Sequence, residues 1–187
     1  VGESCFEGTR AFSTQGIDKA ILNLFRMYAK MGNQEVLFES SGVKDPLTYS
    51  DHNGFGEGPD IGGFAALAGN QELAILVYNH HDDWEICEPY AIDLVIEHLP
   101  FDTQALTVKQ YRIDQEHSNA YAEWVRQDKP MYPAPGQRAA IKMREGLEMV
   151  EPPQQLMAAD GRVHLKFKLP VHGVSLLVIT PTTASPK

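Results

Sequence analysis

The densest run of side chains able to do chemistry is Tyr111-Arg112-Ile113-Asp114-Gln115-Glu116-His117-Ser118-Asn119. His117 beside Glu116 has the make-up of an acid–base pair. Arg112 with Asp114 or Glu116 could form ion pairs that pin a loop. The same residues also suit a capped helix start, because Ser and Asn side chains accept bonds from the first free helical amides. We read them first as such a start, and second as a loop reaching a neighbouring active site. Asn79-His80-His81-Asp82-Asp83-Trp84 concentrates metal-capable groups. On a strand, His80 and His81 point to opposite faces and cannot share an ion without a bend, so a polar hairpin loop is the better reading. Glu3, Glu7 and Arg10 occupy a loop-like opening stretch, where a carboxylate could contact substrate or simply be solvated. Asn53-Gly54-Phe55-Gly56-Glu57-Gly58 is glycine-rich but neither follows a strong strand nor opens a helix, which argues against a phosphate cradle. Phe55, Trp84 and Trp124 could stack on sugar rings, although Trp124 sits on an apolar helical face and is expected in a core. Nucleophile-elbow, P-loop, HExxH and EF-hand patterns are lacking. Neither a metal nor a cofactor is expected.

These residues need elements to position them. Ile17, Ile21, Leu24, Phe25, Tyr28 and Met31 recur with helical period, predicting a helix over 17–31 with Asp18 as its N-cap and Gly32 as its stop. Its apolar stripe is broad and requires a large partner. Strands are expected at 35–41, 61–68, 72–80, 90–99, 106–113, 147–151, 162–169 and 174–180. Residues 44–60 form a loop between them, and Gly69-Asn70 marks a hairpin. Leu73 to Tyr78 is nearly all apolar, as a central strand would be. His164, Lys166 and Lys168 alternate with Val163, Leu165, Phe167 and Leu169, so one face is wet and the other packed. Two short helices are expected within 117–146, the first capped by Ser118 and the second running over 135–145. About eight short strands with turn signals predict a mainly β fold: an antiparallel β-sandwich with a helical insertion. The domain boundary falls between 33 and 34.

Bulk properties narrow the function. The 187 residues are 43% hydrophobic and 22% charged, with a net charge of −9. That composition supports a packed core and disfavours nucleic acid or anionic membrane as partners. Cys5 and Cys87 form no CxxC pair and are read as free, a single bridge being the alternative. No apolar run approaches a membrane span. The chain opens on VGESCFEGTR without Met or a secretory signal, which suggests a piece of a longer polypeptide and leaves cytoplasmic and exported locations both open.

Taken together, the motifs resemble a known family. Tyr111 to Tyr121 (YRIDQEHSNAY) is similar to the YRID-x-x-HSNAY signature of β-xylosidases of glycoside hydrolase family 39. So are Gly16-Ile17-Asp18-Lys19, Leu22-Asn23-Leu24-Phe25-Arg26-Met27, Lys30-Met31-Gly32, Glu39-Ser40-Ser41-Gly42, Val77 to Asp83 and Gly173 to Val178, all in the family's order. The resemblance implies that residues 1–33 are the last loop and helix of a (β/α)8 barrel, and 34–187 an accessory sandwich. It implies a retaining mechanism with two glutamates about 5 Å apart. One would lie in an Asn-Glu-Pro motif and the other at the end of the seventh barrel strand, both ahead of Val1. The chain has no Asn-Glu-Pro and is too short for eight βα units, which take about 250 residues. No catalytic residue is therefore carried over. His117, Asn119, Tyr121 and Glu7 are the residues the resemblance puts near a pocket rim. Ala134 departs from the pattern, standing where a helix-capping Thr is usual.

The parent would release terminal β-D-xylose from xylo-oligosaccharides. The expected partners are the missing barrel, that sugar and, through the uncovered helix, a second copy. A stand-alone carbohydrate-binding or oligomerisation sandwich is the competing reading.

Overall fold

The computed structural model describes residues 5–6, 11–45, 58–69, 71–83 and 85–182. In chain order the elements are β1 (Ser13–Thr14), β2 (Ile17–Asp18), α1 (Ala20–Tyr28), β3 (Gln34–Val36), β4 (Asp60–Ala68), β5 (Glu72–His80), β6 (Tyr90–Ile96) and β7 (Ala105–Ile113). They continue with α2 (Ala120–Arg126), α3 (Pro135–Met143), β8 (Glu148–Met149), β9 (Gln154–Met157), β10 (Val163–Leu169) and β11 (Gly173–Pro181). The chain divides into two compact units, Val1–Lys30 with Tyr111–Val150, and Met31–Gln110 with Glu151–Lys187. This differs from the boundary expected at 33/34, because the helical insertion groups with the N-terminal segment instead of with the sandwich. No described helix is long and apolar enough to cross a membrane.

The second unit is the sandwich. One sheet runs β3-β4-β5-β11-β7, with β9 also on β7, and a two-stranded sheet of β10 and β6 forms the other. The paired strands whose registers are given are all antiparallel. β5 lies centrally, as its apolar run requires, and Leu73 to Val77 are all buried. β10 alternates as expected, with Val163, Leu165 and Leu169 inward and His164, Lys166 and Lys168 outward. Asp93 on β6 receives His164 and Lys166, and these bonds, the first from His164, lower its pKa. The core draws on both sheets: Ile61, Leu67, Ile75 and Leu177 from one, Ile92, Ile96, Val163 and Leu169 from the other.

Several strand expectations change. The strand expected at 35–41 shrinks to three residues. That at 147–151 shrinks to two, pairing with Tyr111 and Arg112 in the first unit. β9 was not expected, since Pro152 and Pro153 precede it and half of Gln154–Met157 is polar. With the two-residue bridge of β1 and β2, the described strands number eleven against the eight expected.

His172 sits in the β10–β11 turn at φ 59°, its ring 5.6 Å from that of His80. Burial, and then the charges of His80 and His81, hold its pKa below the usual 6.5. Asp82, bonded to His80 at 3.0 Å, is the nearby counter-charge. A depressed histidine contributes stability that is complete above the unfolded value and is lost as pH falls through the folded one. His172→Asn keeps a residue that tolerates this backbone conformation. It is expected to flatten the fall of the urea midpoint below pH 6.5 while leaving the midpoint at pH 8 nearly unchanged. An unchanged acid limb would contradict this.

Candidate functional site

In the first unit, α1 starts three residues later than expected. Asp18 does not cap it: the N-cap is Lys19, without a side-chain bond. Asp18 is instead drawn into an ion pair with Arg26, and its amide donates to Glu145 Oε2 at 3.1 Å. Nor does Gly32 stop the helix, which ends at Tyr28 with Ala29 as C-cap. Gly32 is needed within the sandwich unit, where a Cβ would lie 1.9 Å from the carbonyl oxygen of Leu67.

The burial of α1 runs opposite to its hydrophobic pattern. Asn23 and Met27, one turn apart, are fully buried. Ile21, Phe25 and Tyr28 are 43, 47 and 43% exposed on the opposite side of the helix, and Phe12, 52% exposed, packs its ring 5.3 Å from Phe25. Asn23 Nδ2 donates to the carbonyl oxygens of Ser118 (2.8 Å) and Glu145 (3.1 Å), while its Oδ1 accepts from Arg26 Nη1 (2.7 Å). One amide thus ties the helix to the loops that flank the insertion.

The polar loop 114–119 follows β7. Asp114 is buried, and its Oδ1 accepts from the amides of Glu116 and His117, both at 2.7 Å, and from His117 Nδ1 at 3.0 Å. Its Oδ2 lies 4.0 Å from Arg112 Nε. His117 therefore has Asp114 as its carboxylate, and the Glu116–His117 pair is not formed. Glu116 turns to Arg126, 2.7 Å away. A carboxylate can only accept, so His117 Nδ1 is the donor of this pair.

Ser118 is not the helix cap. It is buried at φ 53°, with its Oγ donating to the Arg112 carbonyl (2.6 Å) and accepting from the Glu148 amide (2.8 Å). Its own amide donates to Glu148 Oε2 (2.8 Å). Asn119 caps α2 instead, its Oδ1 accepting from the Ala122 amide, and its Nδ2 holds the Asp114 carbonyl at 2.9 Å. These bonds fix the loop on both sides.

Beyond the cap, Tyr121 is half exposed, its ring 5.7 Å from Phe6 and 5.5 Å from Trp124. Trp124 is buried as expected, with Nε1 donating to the Pro130 carbonyl, in a cluster with Cys5, Ile17, Ala120 and Ile141. The loop therefore places His117, Asn119 and Tyr121 on one short stretch, with the imidazole held by Asp114 and the Tyr121 ring half exposed. Glu7 lies outside the described residues, as do Glu3, Arg10, Phe55 and Trp84. His80 pairs with Asp82, and the Asp83 amide donates to His81 Nδ1. Among the described residues no group of three or more potential ligands is placed to hold a metal ion. Both cysteines are free, Cys5 buried and Cys87 exposed.

The second helix of the insertion, α3, has Ala134 as its N-cap, a residue with no side-chain acceptor. Gln137 Oε1 supplies only the returning half of the cap, accepting from the Ala134 amide at 3.0 Å. Ala134→Ser is expected to stabilise the unit by about 1 kcal/mol, read as a rise in the urea midpoint. A fall would show that the alanine is required by packing.

Asn23, Glu145 and Glu148 were not singled out in the sequence. The one available signal was an asparagine inside a helical run of apolar residues.

No family model matches the sequence, and no curated protein matches it. Solved structures do match. The bacterial orthologue of human α-L-iduronidase aligns over 91% of this chain at 15% identity and a TM-score of 0.71, the match covering 28% of that protein. The GH39 enzyme from Xanthomonas axonopodis pv. citri aligns over 89% of this chain at 13% identity and 0.69, covering 31% of its own length. A monomeric β-xylosidase from Caulobacter crescentus CB15 aligns over 92% at 13% identity and 0.69, covering 32%. The chain thus spans about three-tenths of the length of each. At these identities the likeness establishes the fold: a mainly β, antiparallel sandwich with attached helices, of the kind found in GH39 enzymes.

Proposed function

We propose that this chain is the C-terminal portion of a retaining glycoside hydrolase of family 39, a β-xylosidase in its parent form. It supplies the last barrel helix and an accessory sandwich, and the catalytic glutamates lie upstream of it. The observation that carries this reading is the inverted burial of α1. A helix that buries asparagine while presenting Ile21, Phe25 and Tyr28 to solvent is built to be covered. The eight-stranded barrel is the cover we assign. Until it is in place, the same face would draw two copies together. His117, Asn119 and Tyr121 then lie at the rim of the sugar pocket, as binding groups.

The test is hydrolysis of a chromogenic β-xyloside. The 187-residue chain alone is expected to give no turnover above background, and the polypeptide extended through its upstream reading frame is expected to be active. In the extended enzyme, Tyr121→Ala should lower kcat/KM about tenfold, equivalent to about 1.4 kcal/mol, while Tyr121→Phe stays near wild type. Turnover by the short chain would overturn the assignment. An unaffected Tyr121→Ala enzyme would remove the residue from the rim.

A further inference from the structure

At the flank of the sandwich, where β10 faces β7, β9 and β11, a cleft of about 60 Å³ opens. Val108 and Leu177 line it from the core face of the larger sheet, and Leu165 and Phe167 from that of β10. Its other groups are polar: Gln110, Glu151 and Gln154. Gln154 is the register partner of Val108, and Gln110 lies two residues beyond Val108 on the same side of β7. Both glutamines therefore stand on the core face of their strands, where an apolar side chain would be expected. Ser175, buried on β11, continues the change and accepts from Gln110 Nε2 at 2.8 Å. A further strand laid over this face would bury amide groups without partners, so the flank is built to stay wet.

The free valences name the ligand. Gln110 spends one N–H on Ser175, and Gln154 spends one on Glu151. Each glutamine keeps a carbonyl oxygen and a second N–H, an acceptor beside a donor. Two adjacent hydroxyls on a sugar ring offer the matching pair, and the C–H face of the ring suits the apolar wall. Charge points the same way. Lys166 also lines the cleft, but its Nζ is held by Asp93 at 3.2 Å, so an anionic ligand finds no free ammonium there.

We infer that this cleft binds a neutral saccharide, taking a vicinal diol of one pyranose against Gln110 and Gln154 and resting the ring on Phe167. A single water needs about 10–15 Å³ of such space, so the cleft holds a few waters. That admits one edge of a ring, with the rest of the ligand lying across the mouth. So little burial makes the binding weak, in the millimolar range. The choice of xylose as the sugar rests on the function proposed above; the assignment of a saccharide rests on the cleft.

The test is a titration of the isotope-labelled chain with xylotriose, followed through its backbone and side-chain amide signals. Those of Gln110, Gln154 and Phe167 should shift and saturate. Gln154→Ala, an exposed substitution, should weaken binding at least about tenfold while the rest of the spectrum stays as dispersed as before. Glu151→Gln removes the charge but keeps an acceptor, and should bind like the unmodified chain. No saturable shift at the cleft with xylotriose or cellotriose would overturn the proposal. So would saturation of the same signals by calcium chloride that Glu151→Gln abolishes, which would make the cleft a cation site. Saturation by cellotriose alone would uphold the cleft and count against xylose as the sugar of the parent enzyme, so the two readings fail separately.

Discussion

Replacing Asn23 with alanine is expected to lower the stability of the helical unit by about 3 kcal/mol, despite the high helix propensity of alanine. The side chain is fully buried and uses both ends of its amide. Removing it strands the Ser118 carbonyl oxygen, takes one donor from the Glu145 carbonyl, and costs Arg26 an acceptor. Each buried group left without a partner costs about 1–3 kcal/mol. Arg26 Nη1 also bonds the Glu145 carbonyl at 3.0 Å, so that oxygen keeps one donor and the total stays below the simple sum. Asn23→Asp is the sharper variant, because a carboxylate cannot donate to either carbonyl. It should destabilise at least as much at pH 7 and recover partly in acid, as the protonated side chain regains one donor. Urea unfolding followed through Trp124, which shares this unit, would read both variants. A loss under about 1 kcal/mol would mean that the loops at Ser118 and Glu145 are held by their other bonds alone.

That residue also marks where sequence reading stopped. The amphipathic pattern of α1 was legible, because apolar spacing depends only on the order of residues. Which face is buried within these 187 residues was not, because it depends on what else is present to pack against it. The long sandwich strands were recovered closely: 72–80 was expected and is observed, and 61–68 and 174–180 each lie within one residue of their observed ends. Their signal is period-two alternation or a solid apolar run, and both survive without knowledge of neighbours. β3, β8 and β9 were poorly seen, since two to four residues hold too little pattern to read.

At the loop, the residue types were right and the pairings were not. Glu116 is adjacent to His117 in sequence, yet Asp114 takes the imidazole, because a tight turn returns the chain onto the carboxylate three residues back. Ser118 and Asn119 are both good caps. What separates them is that the positive φ of Ser118 turns its hydroxyl toward Arg112 and Glu148, leaving the cap to Asn119.

Gly62 and Gly63 interrupt β4, and by propensity they weaken it. Their presence is explained by close approach. A Cβ on Gly63 would fall 2.0 Å from the carbonyl oxygen of Leu76 and 2.9 Å from Phe38 Cζ, and one on Gly62 would meet the Tyr78 hydroxyl at 2.3 Å. The first of these obstacles is backbone on the partner strand, so it cannot rotate away. Gly63→Val should force β4 off β5 in the middle of their nine-residue pairing and displace Phe38 from the core. The expected cost is about 3 kcal/mol, at the upper end for overpacking. Gly69→Ala is the control. Its φ of 59° is strained for alanine but nothing among the described residues lies within 4 Å of the added methyl, so the cost should be only about 1 kcal/mol. Thermal or urea midpoints of the two variants separate crowding from backbone strain. If both lose the same small amount, then β4 and β5 can part at Gly63 without penalty, and their closeness there does not hold the sandwich together.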